Sequence, residues 1–216
     1  MHILVDNNII DIYPDLKIFS FIVEVNMQEK INIDNIDSNL TLPENISSIP
    51  VISQWREIYR HMGIKPTKYY SSIEALLKRY KKENWRTGNH FIDLYNSFSI
   101  NSMAPMGAYD YEKLEELKLR FARTNDIYHP LHSTSDFELN DSKIVYAQFN
   151  KIACWAINHR DSEEFCVTNQ TSKILIVSEG FTIEQATLAE QAIRNFHNFF
   201  ESKKYKVSKI FTHIVA

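Results

Sequence analysis

The sequence predicts an α+β fold with a helical first half, a sheet-rich middle and one long packing helix near the end. Three observations carry that expectation. Between residues 50 and 103, apolar side chains recur at three- and four-residue spacing. From Leu117 to Glu179 the period shortens toward two. From Thr182 to Phe200 it lengthens to the helical value again.

Taken in chain order, "ILVD" (3–6) and "LKIFSFIVEV" (16–25) read as strands. Residues 26–49 are rich in Asn and Asp and read as a polar surface excursion. Residues 1–49 thus form an N-terminal part of the same domain as residues 50–216. Pro50 suits a first helical turn, Ile52, Trp55, Tyr59 and Met62 follow at helical spacing, and Gly63 is a natural stop. Ser71 and Glu74 form a capping-box pattern, each side chain placed to accept the other's backbone N–H. Ile73, Leu76, Leu77 and Tyr80 then share a face, and Lys78, Arg79, Lys81 and Lys82 crowd the last turns, where positive charge complements the helix dipole.

A third helix fits "NHFIDLYNSFSINSM" (89–103), with Phe91, Ile92, Tyr95 and Phe98 predicted inward. The stretch "PMGAYD" (105–110) reads as the turn that ends it. Leu117, Leu119 and Phe121 alternate with charged residues, and "KIVYAQF", "KIACWAI" and "KILIVSE" are further strands. Residues 127–142 are turn-rich. Gly180 closes a strand, and Thr182 with Gln185 opens a helix whose core stripe is Ala186, Ala189, Ile193, Phe196 and Phe200. "KVSKIFTHIV" (206–215) is a last strand.

Composition narrows the functional classes. Of 216 residues, 44% are hydrophobic and 24% charged, as in soluble globular proteins. A net charge of −3 argues against a surface coated with positive charge for non-specific phosphate binding. Only four glycines are present, scattered, which excludes a Walker loop and a GxGxxG turn. Cys154 and Cys166 lack CxxC spacing and read as free thiols in a reducing cytosol. "MHILVDNNII" has no basic start, and no apolar run reaches membrane length, so a soluble cytoplasmic protein is expected, with no membrane partner.

His159-Arg160-Asp161 is the tripeptide of a kinase catalytic loop, but the rest of a kinase is absent; the Arg-Asp pair reads as a loop anchor. His129 and His132 in "HPLH" match no metal template, so no metal is predicted. Lysines and arginines at 78–82, and Lys203, Lys204, Lys206 and Lys209, interleave with Tyr80, Trp85 and Tyr205. That pattern suits either a phosphate grip with base stacking or a solvated helix end.

"RTGNHFIDLYN" (86–96) followed by "PMGAYD" resembles the B3/B4 editing module of the phenylalanyl-tRNA synthetase β subunit. There the pattern runs Arg-Pro-Ile-Asn, Asp, Asn, then Pro-x-His-Ala-Phe-Asp. Here Arg86, Asn89, Asp93, Asn96, Pro105, Ala108 and Asp110 keep step, with Tyr109 in place of the Phe and Gly107 in place of the His. Freestanding single-domain relatives look closer, carrying counterparts of "KPTKYYSSIEALL", "NHRDS" and "ILIVSEG". The resemblance spans roughly residues 50–200.

This resemblance implies a single domain with a β-sandwich-like core flanked by helices. It implies a trans-editing hydrolase that deacylates mischarged aminoacyl-tRNA, with no cofactor, no metal and no DNA partner. On it, Asn96 and Glu179 are the catalytic candidates, Glu179 matching the family glutamate that helps recognise a tyrosine hydroxyl. Arg86, Gly107, Asn158, Arg160 and Asp161 are the substrate-binding candidates, and Arg79 and Lys82 would border the tRNA acceptor end. The alternatives are a non-catalytic module binding tRNA, RNA or an amino acid, and a hydrolase of small amino-acid esters or amides. The residues fix neither the amino acid removed nor the oligomeric state.

Overall fold

The computed structural model describes residues 3–31, 40–133 and 143–213. In chain order these form β1 (Ile3–Val5), α1 (Asn7–Ile12), β2 (Lys17–Glu24), α2 (Pro50–His61), α3 (Ser72–Lys81), α4 (His90–Ser102), β3 (Gly107–Asp110), β4 (Leu117–Phe121), β5 (Ile144–Gln148), β6 (Lys151–Trp155), β7 (Arg160–Asp161), β8 (Lys173–Gly180), α5 (Ile183–Ser202) and β9 (Phe211–His213). One sheet has the order β1-β4-β5-β6-β7 and the other β3-β8-β2-β9.

The second sheet explains why its sequences are apolar almost without break. Strands β2 and β8 pair antiparallel from Lys17 opposite Gly180 to Glu24 opposite Lys173. Phe19, Phe21 and Val23, with Ile174 and Ile176, pack against Leu94 of α4 and Ala189, Ile193, Phe196 and Phe200 of α5. Their alternates, Ile18, Ile22, Leu175 and Val177, share the larger core with Leu117, Leu119 and Tyr146 of the first sheet. Both faces are covered, so both alternating sets must be apolar. The result is a two-sheet sandwich flanked by helices.

The two sheets are also joined by a histidine. The Ile3 N–H donates to Nδ1 of His213 at 3.1 Å, so the ring proton sits on Nε2, which donates to Ser20 Oγ at 2.8 Å. In the first sheet, Arg120 and Asp126 form a buried bidentate pair with two 2.7 Å contacts.

Several sequence expectations are corrected. Residues 107–110 are strand β3, paired with Val177 to Ile174 of β8, and not a turn. The chain reverses earlier, at Met103 in the left-handed region (φ 53°), so Gly107 performs no turn. Helix α4 buries only part of the face foreseen: Phe91 is buried, Ile92, Tyr95 and Phe98 are half-buried, and Asp93, Asn96, Ser97 and Ser99 are buried as well. The cause is cover on two sides, with α5 over its apolar face and a polar pocket against the other. The capping box at α3 is realised by half. Ser71 Oγ accepts from the Glu74 N–H at 3.4 Å, but the Glu74 carboxylate turns to Arg56 (2.7 Å) and Lys78 (2.9 Å), tying α2 to α3. Helix α1 has too short a period to be seen in sequence. Residues 32–39, 134–142 and 214–216, including parts of the predicted excursion, loop and last strand, lie outside the described residues. Among the described residues, no helix is long and apolar enough to cross a membrane.

Candidate functional site

Strand alternation decides where Glu179 points. It follows Leu175 and Val177 on the face of β8 that meets the first sheet. There it is 3% exposed, and its Oε2 accepts a hydrogen bond from the Tyr146 hydroxyl at 3.1 Å. The turn after β6 supplies the second partner. Ala156 and Ile157 both adopt positive φ, 53° and 66°. Left-handed backbone costs an ordinary residue about 1–2 kcal/mol, and full burial of both side chains offsets it. The turn delivers Asn158, whose Nδ2 donates to Glu179 Oε1 at 2.7 Å. Its Oδ1 accepts from the Tyr59 hydroxyl at 3.1 Å and the Ser72 N–H at 3.3 Å. Helices α2 and α3 thus hold the amide that holds the carboxylate.

Around this network lies a cavity of about 180 Å³. Asn96 of α4, Gly107 and Tyr109 of β3, Asp161 of β7 and Arg79 of α3 line it. Asn96 is 6% exposed and Tyr109 2%. Neither the Asn96 amide nor the Tyr109 hydroxyl has a hydrogen-bond partner among the described residues. Arg79 is exposed at the rim. Arg160, also exposed at the rim, is steadied by its Nε donating to Leu131 O at 3.0 Å.

Burial dominates the electrostatics. It pushes the Glu179 carboxyl up to about 7, against the lowering effect of the Asn158 and Tyr146 hydrogen bonds and with added repulsion from Asp161. Burial likewise pushes Asp161 up to about 6, and the nearby Cys154 thiol lowers it in part. Cys154 is itself raised by burial and then by Asp161, so its thiol stays protonated and is no nucleophile. His159 is lowered by burial, and its Nδ1 lies 2.7 Å from the Tyr70 carbonyl. That carbonyl can only accept, so Nδ1 carries the proton. Such a set places a base that titrates near neutrality beside a free amide and a free phenol. It suits the positioning and activation of water rather than covalent catalysis. Among the described residues, no cluster of three or more His, Cys, Asp or Glu side chains could hold a metal ion.

Residues 54–205 match the B3/4 domain. The chain belongs to the B3/4 domain family. Among solved structures, this B3/4 protein is similar to an N-terminal fragment of the phenylalanyl-tRNA synthetase β subunit from Pyrococcus horikoshii, with a TM-score of 0.50 and 12% identity. The match covers 95% of this chain and 50% of that fragment, so the chain spans about half its length. At that identity the likeness concerns the fold. No curated protein matches the chain by sequence.

Within the B3/4 domain, the motif residues divide into two groups. Asn89 caps α4, accepting from the N–H groups of Phe91 and Ile92. Asp93 gathers the preceding loop through the N–H groups of Thr87 and Gly88. Asp110 accepts from Thr171 Oγ1 at 2.8 Å and from the Glu112 N–H. These three build the frame, whereas Asn96 and Gly107 reach the cavity. Asn158, Arg160, Asp161, Glu179 and Arg79 also line it. Arg86 and Lys82 do not. Arg86 is exposed, with its guanidinium 5.0 Å from the Trp85 ring centre, and Lys82 is exposed at the C-terminal end of α3. The tyrosines were missed. Tyr146 was legible only as an aromatic in a strand run, between Val145 and Ala147. Tyr59 looked like one more member of a helical stripe.

Proposed function

We propose that this B3/4 protein is a trans-editing hydrolase that deacylates mischarged aminoacyl-tRNA. The observation that carries this reading is the cavity whose lining brings together Glu179, raised to about 7, and the Asn96 amide. An aminoacyl ester is already activated, so its hydrolysis needs a placed water, a base and a donor for the developing oxyanion. Glu179 takes a proton from water, and the resulting hydroxide oxygen adds to the ester carbonyl carbon. Asn96 donates to the carbonyl oxygen as it gains charge. The intermediate then expels the ribose oxygen, which leaves with the proton carried by Glu179. Arg79 and Arg160 at the rim suit the phosphates of an acceptor end, and Lys82 extends the same helix end outward.

The test is a deacylation screen over mischarged aminoacyl-tRNAs. At least one is expected to be cleaved well above background. Asn96→Ala should lower its kcat about 100-fold, the scale of one lost oxyanion donor. Glu179→Gln should remove the limb of the pH–rate profile centred near 7. Equal background cleavage of every substrate by wild type and both variants overturns the reading.

A second reading, a module that binds an aminoacyl group or RNA without turnover, is favoured by one observation. Both Glu179 oxygens already accept from internal donors, Asn158 and Tyr146. It predicts saturable, salt-sensitive tRNA binding with no product.

A further inference from the structure

The half-buried Asp161 carboxylate differs from the buried acids in its partners. Glu179 has two strong donors, and Glu74 has Arg56 and Lys78. Asp161 lines the cavity, while the neighbouring Cys154 thiol is directed to the Trp155 carbonyl at 3.8 Å. Its neighbour Arg160 is directed away, to the Leu131 carbonyl. No lysine, arginine or histidine pairs with Asp161 among the described residues. A half-buried carboxylate without a charged partner favours a cation or a proton.

The cavity around it holds further unspent polar capacity. The Asn96 amide and the Tyr109 hydroxyl are each more than nine-tenths buried, line the same cavity and lack partners among the described residues. The Tyr109 ring leans over Gly107, its hydroxyl 3.7 Å from where a Cβ would stand. Their polar atoms open onto the cavity, where a ligand can complete their hydrogen bonds. Two arginines stand at the rim, and neutral polar groups and the Asp161 carboxylate line the same cavity. A ligand complementary to that set carries an anionic tail, a carbonyl and an ammonium.

We infer that Asp161 is the anchor for the free α-ammonium of an aminoacyl group, so the site accepts unmodified aminoacyl esters and rejects N-acylated ones. The ammonium offers three donors to the carboxylate. An N-acyl group removes the charge and adds bulk beside the carboxylate. Selection therefore acts on the amino end of the substrate as well as on its side chain. The inference deepens the proposed aminoacyl site, and it concerns binding, so it can be tested apart from turnover.

The probes are a panel of amino-acid amides, which resist ester hydrolysis, and the N-acetyl derivative of each, titrated against the full chain by calorimetry. At least one amide is expected to bind, with its N-acetyl derivative weaker by about tenfold or more, the scale of a lost charge-assisted hydrogen bond. Asp161→Asn should weaken the amide by a similar factor and leave the N-acetyl derivative unchanged. The comparison of the two ligands on the unaltered protein stands even where that variant fails to fold. Equal binding of free and N-acetylated amides overturns the inference, as does an absence of binding across the panel. Ammonium-dependent binding with no cleavage of any mischarged tRNA would leave it intact and remove the hydrolase. Equal cleavage of free and N-acetylated aminoacyl-tRNA would do the reverse.

Discussion

Two glycines make opposite demands on their surroundings. A Cβ on Gly180 would lie 2.1 Å from the Ala186 backbone nitrogen and 2.3 Å from the Gln185 carbonyl carbon. Backbone cannot step aside as a flexible side chain can. Gly180→Ala should therefore destabilise by about 3 kcal/mol or more, read as a lower urea midpoint at unchanged m-value. A Cβ on Gly107 meets only the Tyr109 ring at ordinary contact distance. Gly107→Ala should change stability by no more than about 0.5 kcal/mol. Neither fact was legible in sequence, where both glycines looked like punctuation; in each case the deciding atoms belong to residues whose approach only the folded chain creates. Glu179 yields a third expectation. Its folded pKa of about 7 lies above the ordinary 4.5, so the folded state holds a proton that the unfolded state releases. The stability this provides is complete below about pH 4.5 and lost as pH rises through about 7. Glu179→Gln should match wild type near pH 4.5. At pH 8 it should exceed wild type by on the order of 3 kcal/mol, measured by urea unfolding at both pH values.

At the scale of elements, long runs and long helices were readable and short pieces were not. The stripe of α5 from Ala186 to Phe200 is buried as its period indicated, and Thr182 accepts from the Gln185 N–H at 3.2 Å as a cap. Strands β2 and β8 were legible because six and seven consecutive residues, respectively, are buried. Strand β3 was not, since four residues after a proline and including a glycine carry turn chemistry, and only pairing with β8 makes them extended. The site fared likewise. Glu179, Asn158 and Asn96 stood in recognisable blocks, whereas the tyrosines that hold or face them depended on which blocks fold together. Strand β4 and its following loop offer a separate test. Arg120→Met leaves Asp126 buried without its bidentate partner and should cost about 3–5 kcal/mol. Adding Asp126→Leu removes the orphaned charge and should recover much of that loss, as a double-mutant cycle by chemical denaturation would detect.

For the molecule as a whole, the second sheet is the central layer, with one face in the larger core and the other beneath α4 and α5. Trp55, Trp85 and Trp155 all report on the larger core, and α5 packs on the opposite face. Because both cores share β2 and β8, tryptophan fluorescence and far-ultraviolet circular dichroism should give coincident denaturation curves. Separate midpoints would mean that the two cores melt independently. The sheet order β3-β8-β2-β9 carries a further consequence, for the chain as it is being made. Strand β2 leaves the ribosome early, but its neighbours are β8 and β9, more than 140 residues later in the sequence. Until they emerge, the run from Ile18 to Val23 has no edge to pair with and no face to cover it. The nascent protein must carry a strongly β-prone segment unprotected through most of its translation, a window in which aggregation competes with folding and a chaperone that shields extended apolar chain would raise the yield.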